Sequence, residues 1–326
     1  MKPAASIVIR AYNEAGHLEK LFTGIRLQSV QDVQVILVDS GSTDGTGEIA
    51  ARNGAEIVHI LPEEFTFGRS LNRGIAAAQA DLVVIASAHV YPVYPDWIEK
   101  LLAPLTGAGA ALSYGKQRGG ETTQFSEEQI FHQWYPDAPQ PRQPHPFCNN
   151  ANAAIRRDLW EQHAYDETLS GLEDLAWARW AFEQGLPITY VPEAEIIHVH
   201  RETPRGVYNR YRREGMAFKQ IYPQEQFRLG DFARLFTKNA ASDLHEAARQ
   251  KVLGRWWRGI LWFRWMQFSG TYQGYRQSGP LTWQLKQAFY YPRPREGIPL
   301  VERDVAPIPY PEQSHKTNKL DTDEHG

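Results

Sequence analysis

Two adjacent carboxylates stand where a predicted helix begins, in the segment Gly171-Leu172-Glu173-Asp174. A carboxylate at a helix N-terminus interacts favourably with the helix dipole, which helps to keep it ionised near neutral pH. An ionised carboxylate can accept the proton of a hydroxyl group, so Asp174 is a candidate general base, with Glu173 beside it. The alternative interpretation is a helix cap without chemical function.

Three histidines form a second candidate group. His198 and His200 are two residues apart at the end of a predicted strand, so both side chains point to one face if the strand continues. His89, in the segment Ser87-Ala88-His89, follows another predicted strand and completes a possible metal site. Imidazole binds Mn²⁺ or Zn²⁺ better than Mg²⁺. Two alternatives stay open: solvent-facing edge histidines, and a metal-free site where histidine and arginine neutralise a phosphate.

The third candidate is the turn from Asp39 to Thr46. A carboxylate at a strand end, followed by small hydroxylated residues, suits hydrogen bonding to a ribose or a base edge. The alternative is a solvated turn in which Asp44 or Thr46 caps the next helix. The segment is neither a Gly-x-x-x-x-Gly-Lys-Ser/Thr loop nor a Gly-x-Gly-x-x-Gly turn, so those nucleotide-binding classes lose their main support.

Arginines are concentrated in two places. The first stretch holds Arg201, Arg205, Arg210, Arg212 and Arg213, and either clamps phosphate or forms a solvated helix face. The second, residues 255–265, combines arginine with tryptophan. That composition suits a membrane interface, or a helix packed on the catalytic domain or on another subunit.

The elements that must position these residues alternate between strand and helix over the first hundred residues. Such alternation predicts a parallel sheet with helices on both faces, and ligands then bind beyond the carboxyl ends of the strands. Asp39 and His89 both lie at such ends. The predicted strands are 6–9, 33–38, 55–60 and 82–87, and the predicted helices include 46–52 and 70–80.

The second half of the chain is less regular. Residues 136–146 predict a long loop, and 188–191 and 194–200 predict edge strands. After Pro204 the pattern is helical, and from Pro292 it is proline-rich and polar. We therefore expect a catalytic domain over 1–204, a helical extension over 205–291 and a tail over 292–326.

Four motifs in order resemble family 2 glycosyltransferases: 6–14, 39–46, 67–74 and 171–174, within a similarity that extends to about residue 214. The resemblance implies the GT-A fold, an α/β architecture with a Rossmann-like mixed sheet. It also implies inverting transfer of a sugar from a nucleotide-sugar donor to an acceptor hydroxyl. The family most often acts in envelope polysaccharide or glycolipid synthesis.

The resemblance also implies roles for individual residues. Asp174 is the matching base, and Asn72 and Arg73 approach the sugar-phosphate. The donor nucleotide and its diphosphate are expected at Ala11, Tyr12, Glu14, Asp39, Ser40, Asp44, Ser87, His89 and Arg201.

The chain departs from the family at its metal-binding motif. Family members carry Asp-x-Asp, whereas this chain has Ser87-Ala88-His89 and no carboxylate between Asp81 and Asp96. The polypeptide N-acetylgalactosaminyltransferases are similar in using Asp-x-His. We therefore expect a divalent metal at His89, His198 and His200, with Mn²⁺ preferred over Mg²⁺, and a metal-independent site as the alternative.

Composition bounds the function classes. The 326 residues carry a net charge of −3, which gives no overall attraction to nucleic acid. One cysteine excludes a disulfide within the chain and a four-cysteine zinc site. No apolar run approaches the ~20 residues of a membrane span. We expect a cytoplasmic enzyme, with a peripheral membrane contact or a homo-oligomer as partners to test. The rivals are a retaining GT-A transferase that makes a small glycoside and a catalytically silent sugar- or nucleotide-binding scaffold.

Overall fold

The computed structural model describes residues 2–200, 202–277 and Leu285. Arg201 and the predicted tail over 292–326 therefore lie outside the described residues. The division at residue 204 stays a prediction.

Eight strands form one mixed sheet, in the order β3-β2-β1-β4-β7-β6-β8-β5. The strands β3, β2, β1 and β4 are mutually parallel, as the alternating pattern predicted, while β7 runs antiparallel to both β4 and β6. The strands are β1 Ala5–Ala11, β2 Val33–Asp39, β3 Glu56–His59, β4 Leu82–Ser87, β5 Val90–Pro92, β6 Leu112–Gly119, β7 Asn152–Arg156 and β8 Ile188–His198.

Ten helices are present in the described part of the chain. Seven of them accompany the sheet, and α8, α9 and α10 follow it. Their bounds are α1 Ala15–Arg26, α2 Thr46–Arg52, α3 Phe67–Ala76, α4 Trp97–Gly107, α5 Phe125–Trp134, α6 Arg157–Gln162, α7 Glu173–Glu183, α8 Pro204–Ile221, α9 Leu229–Arg249 and α10 Leu253–Arg276. None of the described helices is both long and apolar enough to cross a membrane.

The sheet is buried on both faces, which explains why its central strands read as continuous apolar runs. Val8 of β1 belongs to the core on one face, with Ile85 of β4. Its neighbours Ile7 and Ile9 belong to the core on the other face, with Leu37 of β2. Alternating side chains of one strand thus hold both layers of helices on the sheet.

One expectation about the second half was wrong. Residues 188–200 do not form two edge strands, because β8 is one strand hydrogen-bonded between β6 and β5. Between residues 119 and 146 the structure contains α5, ahead of the long loop. A buried ion pair ties this helix to the C-terminal helices: Arg264 donates to Asp243 at 2.7 Å, and Ser126 of α5 donates to the same carboxylate at 2.6 Å.

Candidate active site

The carboxyl ends of β1, β2 and β4 meet at one edge of the sheet. The register pairs Ala11 with Asp39, and Arg10 with Ser87. The carbonyl of Ala11 accepts hydrogen bonds from both the amide and the hydroxyl of Ser40, at 3.1 and 3.2 Å. The structure therefore brings these predicted donor-site residues together, as expected from parallel strands.

Asp39 ends β2 at this edge and is 5% exposed. Its two carboxylate oxygens accept the Ser42 amide at 3.1 and 3.3 Å, which fixes the turn that follows β2. Tyr12, the residue after Ala11, is half-buried. Arg73 is exposed on α3. The placement of Asp39 suits the predicted contact with a nucleotide, which stays a prediction.

Asp44 forms hydrogen bonds within the protein, and its predicted nucleotide contact stays a prediction. One oxygen accepts the amide and the hydroxyl of Thr46, at 3.1 and 2.6 Å, and the other accepts the Ala15 amide at 3.0 Å. Burial raises its pKa, but these hydrogen bonds outweigh that effect and leave the pKa below its usual value. Both oxygens thus join the starts of α1 and α2, in line with the capping alternative.

Asn72 also forms hydrogen bonds within the protein, and its expected approach to a sugar-phosphate stays a prediction. Its amide group donates to the Tyr165 carbonyl at 2.9 Å and to Glu167 at 3.0 Å. Its oxygen accepts from the Tyr165 amide at 3.0 Å and from the Trp160 indole at 2.9 Å. These four bonds occupy the hydrogen-bonding groups of the side chain.

The three histidines converge. The ring centroids of His89 and His198 are 5.1 Å apart, those of His89 and His200 5.7 Å, and those of His198 and His200 4.0 Å. One ring nitrogen from each lies within 4.8 Å of the others. His89 lies between β4 and β5, and His198 and His200 lie at and just after the end of β8. The rings are close together because β5 pairs with β8, with Val90 opposite His198. We refer to this group as the histidine cluster.

Each ring of the histidine cluster uses its Nδ1 on an oxygen. His89 pairs with Glu14 at 2.8 Å, His198 with the amide oxygen of Gln117 at 2.8 Å, and His200 with Glu127 at 2.7 Å. These oxygens accept hydrogen bonds, so each Nδ1 is the N–H donor and each Nε2 keeps a lone pair in the neutral ring. Such outer partners orient histidines that bind metals.

The electrostatic surroundings of His198 favour a neutral ring that can bind a metal ion. Burial, and the nearby charges of His200, His89 and Arg210, lower its pKa well below the usual value, so the ring is neutral. Its Nε2 is buried and has no hydrogen-bond partner among the described residues. A buried polar atom without a partner is costly unless something binds it. The histidine cluster therefore fits a divalent cation that accepts nitrogen ligands, such as Mn²⁺ or Zn²⁺.

Two opposing effects set the pKa of His89. Burial lowers its pKa, but the Glu14 carboxylate outweighs burial and leaves the pKa of His89 raised. The same pairing outweighs the burial of Glu14 and lowers the pKa of that carboxyl. Glu14, predicted to contact the nucleotide, thus holds His89 in place.

Asp174 lies in the first turn of α7, two residues after Leu172, whose φ is +55°. Its carboxylate accepts the amides of Asn150 at 3.1 Å and Leu175 at 2.8 Å, and it remains partly accessible. Burial, followed by the charge of Glu173, raises the pKa of Asp174 to about 7. Desolvation thus has a larger effect on this pKa than the helix dipole that was expected to help to keep the group ionised. A pKa near neutrality suits a general base.

Glu173 does not share this position. Its Oε1 accepts a hydrogen bond from Nη1 of Arg10 at 2.9 Å, and its side chain is 5% exposed. This ion pair joins β1 to α7, and the expected catalytic role of Glu173 stays a prediction.

Among the predicted phosphate-binding arginines, Arg213 lies against the site. Its guanidinium stacks on the Phe67 ring at 4.8 Å, and Arg10 lies 4.7 Å from the same ring centroid. Arg210 instead pairs with Glu127 and Glu202, at 2.8 and 2.9 Å.

Sequence reasoning missed Arg10, Gln117 and Glu127. Glu127 lies on α5, whose sequence has no clear helical periodicity. Gln117 lies on β6 and contacts His198 of the neighbouring strand β8. Only the packing of distant elements reveals that these side chains orient the carboxylates and histidines.

Residues 6–163 match the model of glycosyl transferase family 2. The O-antigen chain rhamnosyltransferase WbaN of Salmonella anatum is 27% identical over 229 residues, which are 64% of this chain and 70% of the relative. The glycosyltransferase AglE of Haloferax volcanii is 24% identical over 63% of this chain and 69% of its own. A mannosyltransferase of Pyrobaculum calidifontis, solved with GDP-Man and Mn²⁺, superposes with a TM-score of 0.57 at 18% identity, over 83% of this chain and 86% of that one.

The mixed sheet, the family-model match and the similar glycosyltransferases agree. This protein is a glycosyltransferase with the GT-A fold. Within that class, residues 6–163 are similar to glycosyl transferase family 2.

Proposed function

We propose that the protein is an inverting transferase that moves a sugar from a nucleotide-sugar donor to an acceptor hydroxyl. The observation that carries the proposal is the position of Asp174, a partly accessible carboxyl whose pKa is raised to about 7, near the carboxyl edge of the sheet. The positive charge of Arg10 acts on both this base and the histidine cluster, because it lowers the pKa of Asp174 and the pKa of His89.

In the proposed reaction Asp174 accepts the proton of the acceptor hydroxyl. The oxygen attacks the anomeric carbon, and the bond to the nucleoside diphosphate breaks in the same displacement. A single displacement inverts the anomeric configuration. The described residues next to Asp174 offer no second free carboxylate for a covalent intermediate, because Glu173 is bound by Arg10.

The departing diphosphate carries negative charge that must be stabilised. Arg213 and Arg10, whose guanidinium groups lie 4.8 and 4.7 Å from the Phe67 ring centroid, offer positive charge close to the start of α7. His89, His198 and His200 would hold a divalent cation, which supplies positive charge to the diphosphate when bound. If no metal binds, a protonated His89 and the arginines supply that charge directly.

The relatives suggest a setting. WbaN is named as an O-antigen chain rhamnosyltransferase, and ExoA of Rhizobium meliloti, 35% identical over 32% of this chain, as a succinoglycan biosynthesis protein. Both names concern polysaccharides. We propose that this protein also extends a polysaccharide or its lipid-linked precursor.

The proposal can be tested in two stages. A thermal-shift panel of UDP-, GDP-, dTDP- and CMP-sugars, with and without Mn²⁺, first identifies the donor. NMR of the product formed from that donor then gives the anomeric configuration. Inversion is expected. Retention, or binding of a donor without transfer to any hydroxyl acceptor offered, would contradict the proposed reaction.

A further inference from the structure

The segment between Glu246 and Glu296 contains no Asp or Glu, although the whole chain has a net charge of −3. Its described part includes α10 and the turn before it. The cations of that part are Arg249, Lys251, Arg255, Arg258, Arg264 and Arg276. Arg264 is buried against Asp243, and Arg249 pairs with Glu246. The exposed Arg255, Arg258 and Arg276 form no ion pair with any carboxylate in the described ranges. One side of the molecule thus has unneutralised positive charge.

The same helix exposes large apolar side chains. Trp257 and Trp265 are 43% and 48% exposed, and Leu261 lies between them at helical spacing. Two residues of α9 extend this surface, since Phe232 and Phe236 make edge contacts with Trp265 at 5.2 and 5.6 Å. We call this surface, with Tyr272, the α10 stripe.

Arginines stand at both ends of the α10 stripe. The guanidinium of Arg258 lies 5.0 Å from the Trp257 ring, and that of Arg276 lies 5.4 Å from the Tyr272 ring. Aromatic rings beside exposed arginines can bury their apolar parts at a lipid surface while the charged groups reach the headgroups.

The opposite face of α10 is fixed to the catalytic part of the molecule. Phe263 is fully buried beside Val207 and Tyr211 of α8, and Arg264 reaches α5 through the Ser126 carbonyl. The α10 stripe is therefore a rigid surface that faces away from the core.

We propose that the α10 stripe docks on an anionic lipid bilayer. Charge complementarity favours this occupant, because the stripe offers cations and the headgroups offer phosphate. A second copy of the chain is a poorer fit, since a twofold contact through this face would bring unneutralised arginines together. A nucleic acid would leave Trp257 and Trp265 without an apolar environment. The proposal does not depend on which sugar the enzyme transfers.

The test is flotation of the full chain with vesicles of phosphatidylcholine alone and of phosphatidylcholine mixed with phosphatidylglycerol, at low and high salt. Binding is expected only with the anionic vesicles, and high salt should weaken it. The double variant Arg255→Gln/Arg258→Gln should bind roughly 10- to 30-fold more weakly, because each cation near a charged surface adds about 1 kcal/mol. Trp257→Ser/Trp265→Ser should lower binding by about tenfold or more.

Matched controls keep the test specific. Trp134→Ser removes a tryptophan that is 44% exposed on α5, and Lys2→Gln/Arg52→Gln removes two exposed cations elsewhere. Both controls should bind like the wild type. Equal binding by all variants, or no binding to anionic vesicles, would overturn the proposal. Self-association in sedimentation velocity that Trp257→Ser/Trp265→Ser abolishes would identify the stripe as a contact between copies instead.

Discussion

Arg10 and Glu173 form a 2.9 Å ion pair although 163 residues separate them in the chain. Arg10 stands one residue before the end of β1, and Glu173 opens α7, so the pair joins the sheet edge to the helix that carries Asp174. The two charges act on Asp174 in opposite directions. Glu173 raises the pKa of Asp174, and Arg10 lowers it.

Replacing Arg10 should therefore move the pH dependence of catalysis. In Arg10→Met the positive charge is lost and Glu173 is left unpaired, so both effects raise the pKa of Asp174. The midpoint of kcat/KM against pH should move up by roughly one unit. Arg10→Lys keeps the charge and should stay near the wild-type midpoint. A lower rate at every pH with an unmoved midpoint would show that Arg10 does not act through the pKa of Asp174.

Asp174→Asn tests the base directly. The variant keeps an oxygen acceptor but cannot accept the proton, so transfer should fall by about 10²-fold or more while donor affinity changes little. In the wild type, kcat/KM should rise with pH through about 7 and level off above it, since the ionised form is the active one. Transfer at the wild-type rate would exclude Asp174 as the base.

The same variant should change stability in a pH-dependent way. In the unfolded chain Asp174 ionises near 3.8, whereas burial raises its pKa to about 7 in the folded protein. Between those values the folded state holds the proton more tightly, so native stability falls as pH rises. The Tm of Asp174→Asn relative to the wild type should therefore increase from pH 5 to pH 8. A difference that does not vary with pH would contradict the raised pKa.

The sequence predicted much of the sheet edge but not the interactions behind it. The β1, β2 and β4 strands, their carboxyl-end residues and the convergence of His198 with His200 all follow from local patterns, because period-two alternation and apolar runs are properties of short segments. Asp44 and Asn72 matched family motifs, yet their polar groups serve the protein itself. Glu14 and Glu127 contact the histidines across 75 and 73 residues. Such long-range pairs leave no periodic signal.

Glu127 should control metal affinity without binding the metal. It accepts hydrogen bonds from His200 and Arg210, and the positive charges around it lower its pKa to about 2 despite burial. Glu127→Gln should weaken Mn²⁺ binding, measured by calorimetry, by about 10- to 100-fold because the imidazole loses its orienting carboxylate. Its neighbour Glu128, whose oxygen lies near His132 at 3.5 Å, offers the control Glu128→Gln. Equal losses in both variants would indicate a general effect on α5.

Two glycines of α10 offer a matched test of its packing. A Cβ at Gly270 would overlap the Tyr208 carbonyl oxygen of α8, whereas a Cβ at Gly254 meets nothing within 4 Å. Gly270→Ala should lose about 1–3 kcal/mol of unfolding free energy through overpacking. Gly254→Ala should gain up to about 1 kcal/mol, because alanine favours the helix more than glycine does. Denaturant unfolding measures both. A stable Gly270→Ala would contradict the close α8–α10 contact.

The metal prediction follows from the donor atoms of the histidine cluster. Each Nδ1 is held by an oxygen, and His198 is neutral with its Nε2 buried and unpartnered among the described residues. Three imidazole nitrogens bind Mn²⁺ or Zn²⁺ well and Mg²⁺ poorly. Activity should therefore fall in EDTA and return with Mn²⁺ more fully than with Mg²⁺.

His89→Ala and His198→Ala should both lower that recovery. His132 is an exposed histidine on α5, so His132→Ala should not lower it. Full activity in EDTA would leave the metal-free version, in which His89 and the arginines carry the charge. Unchanged activity of His89→Ala would contradict both versions, because each assigns that ring a positive charge or a metal at the diphosphate.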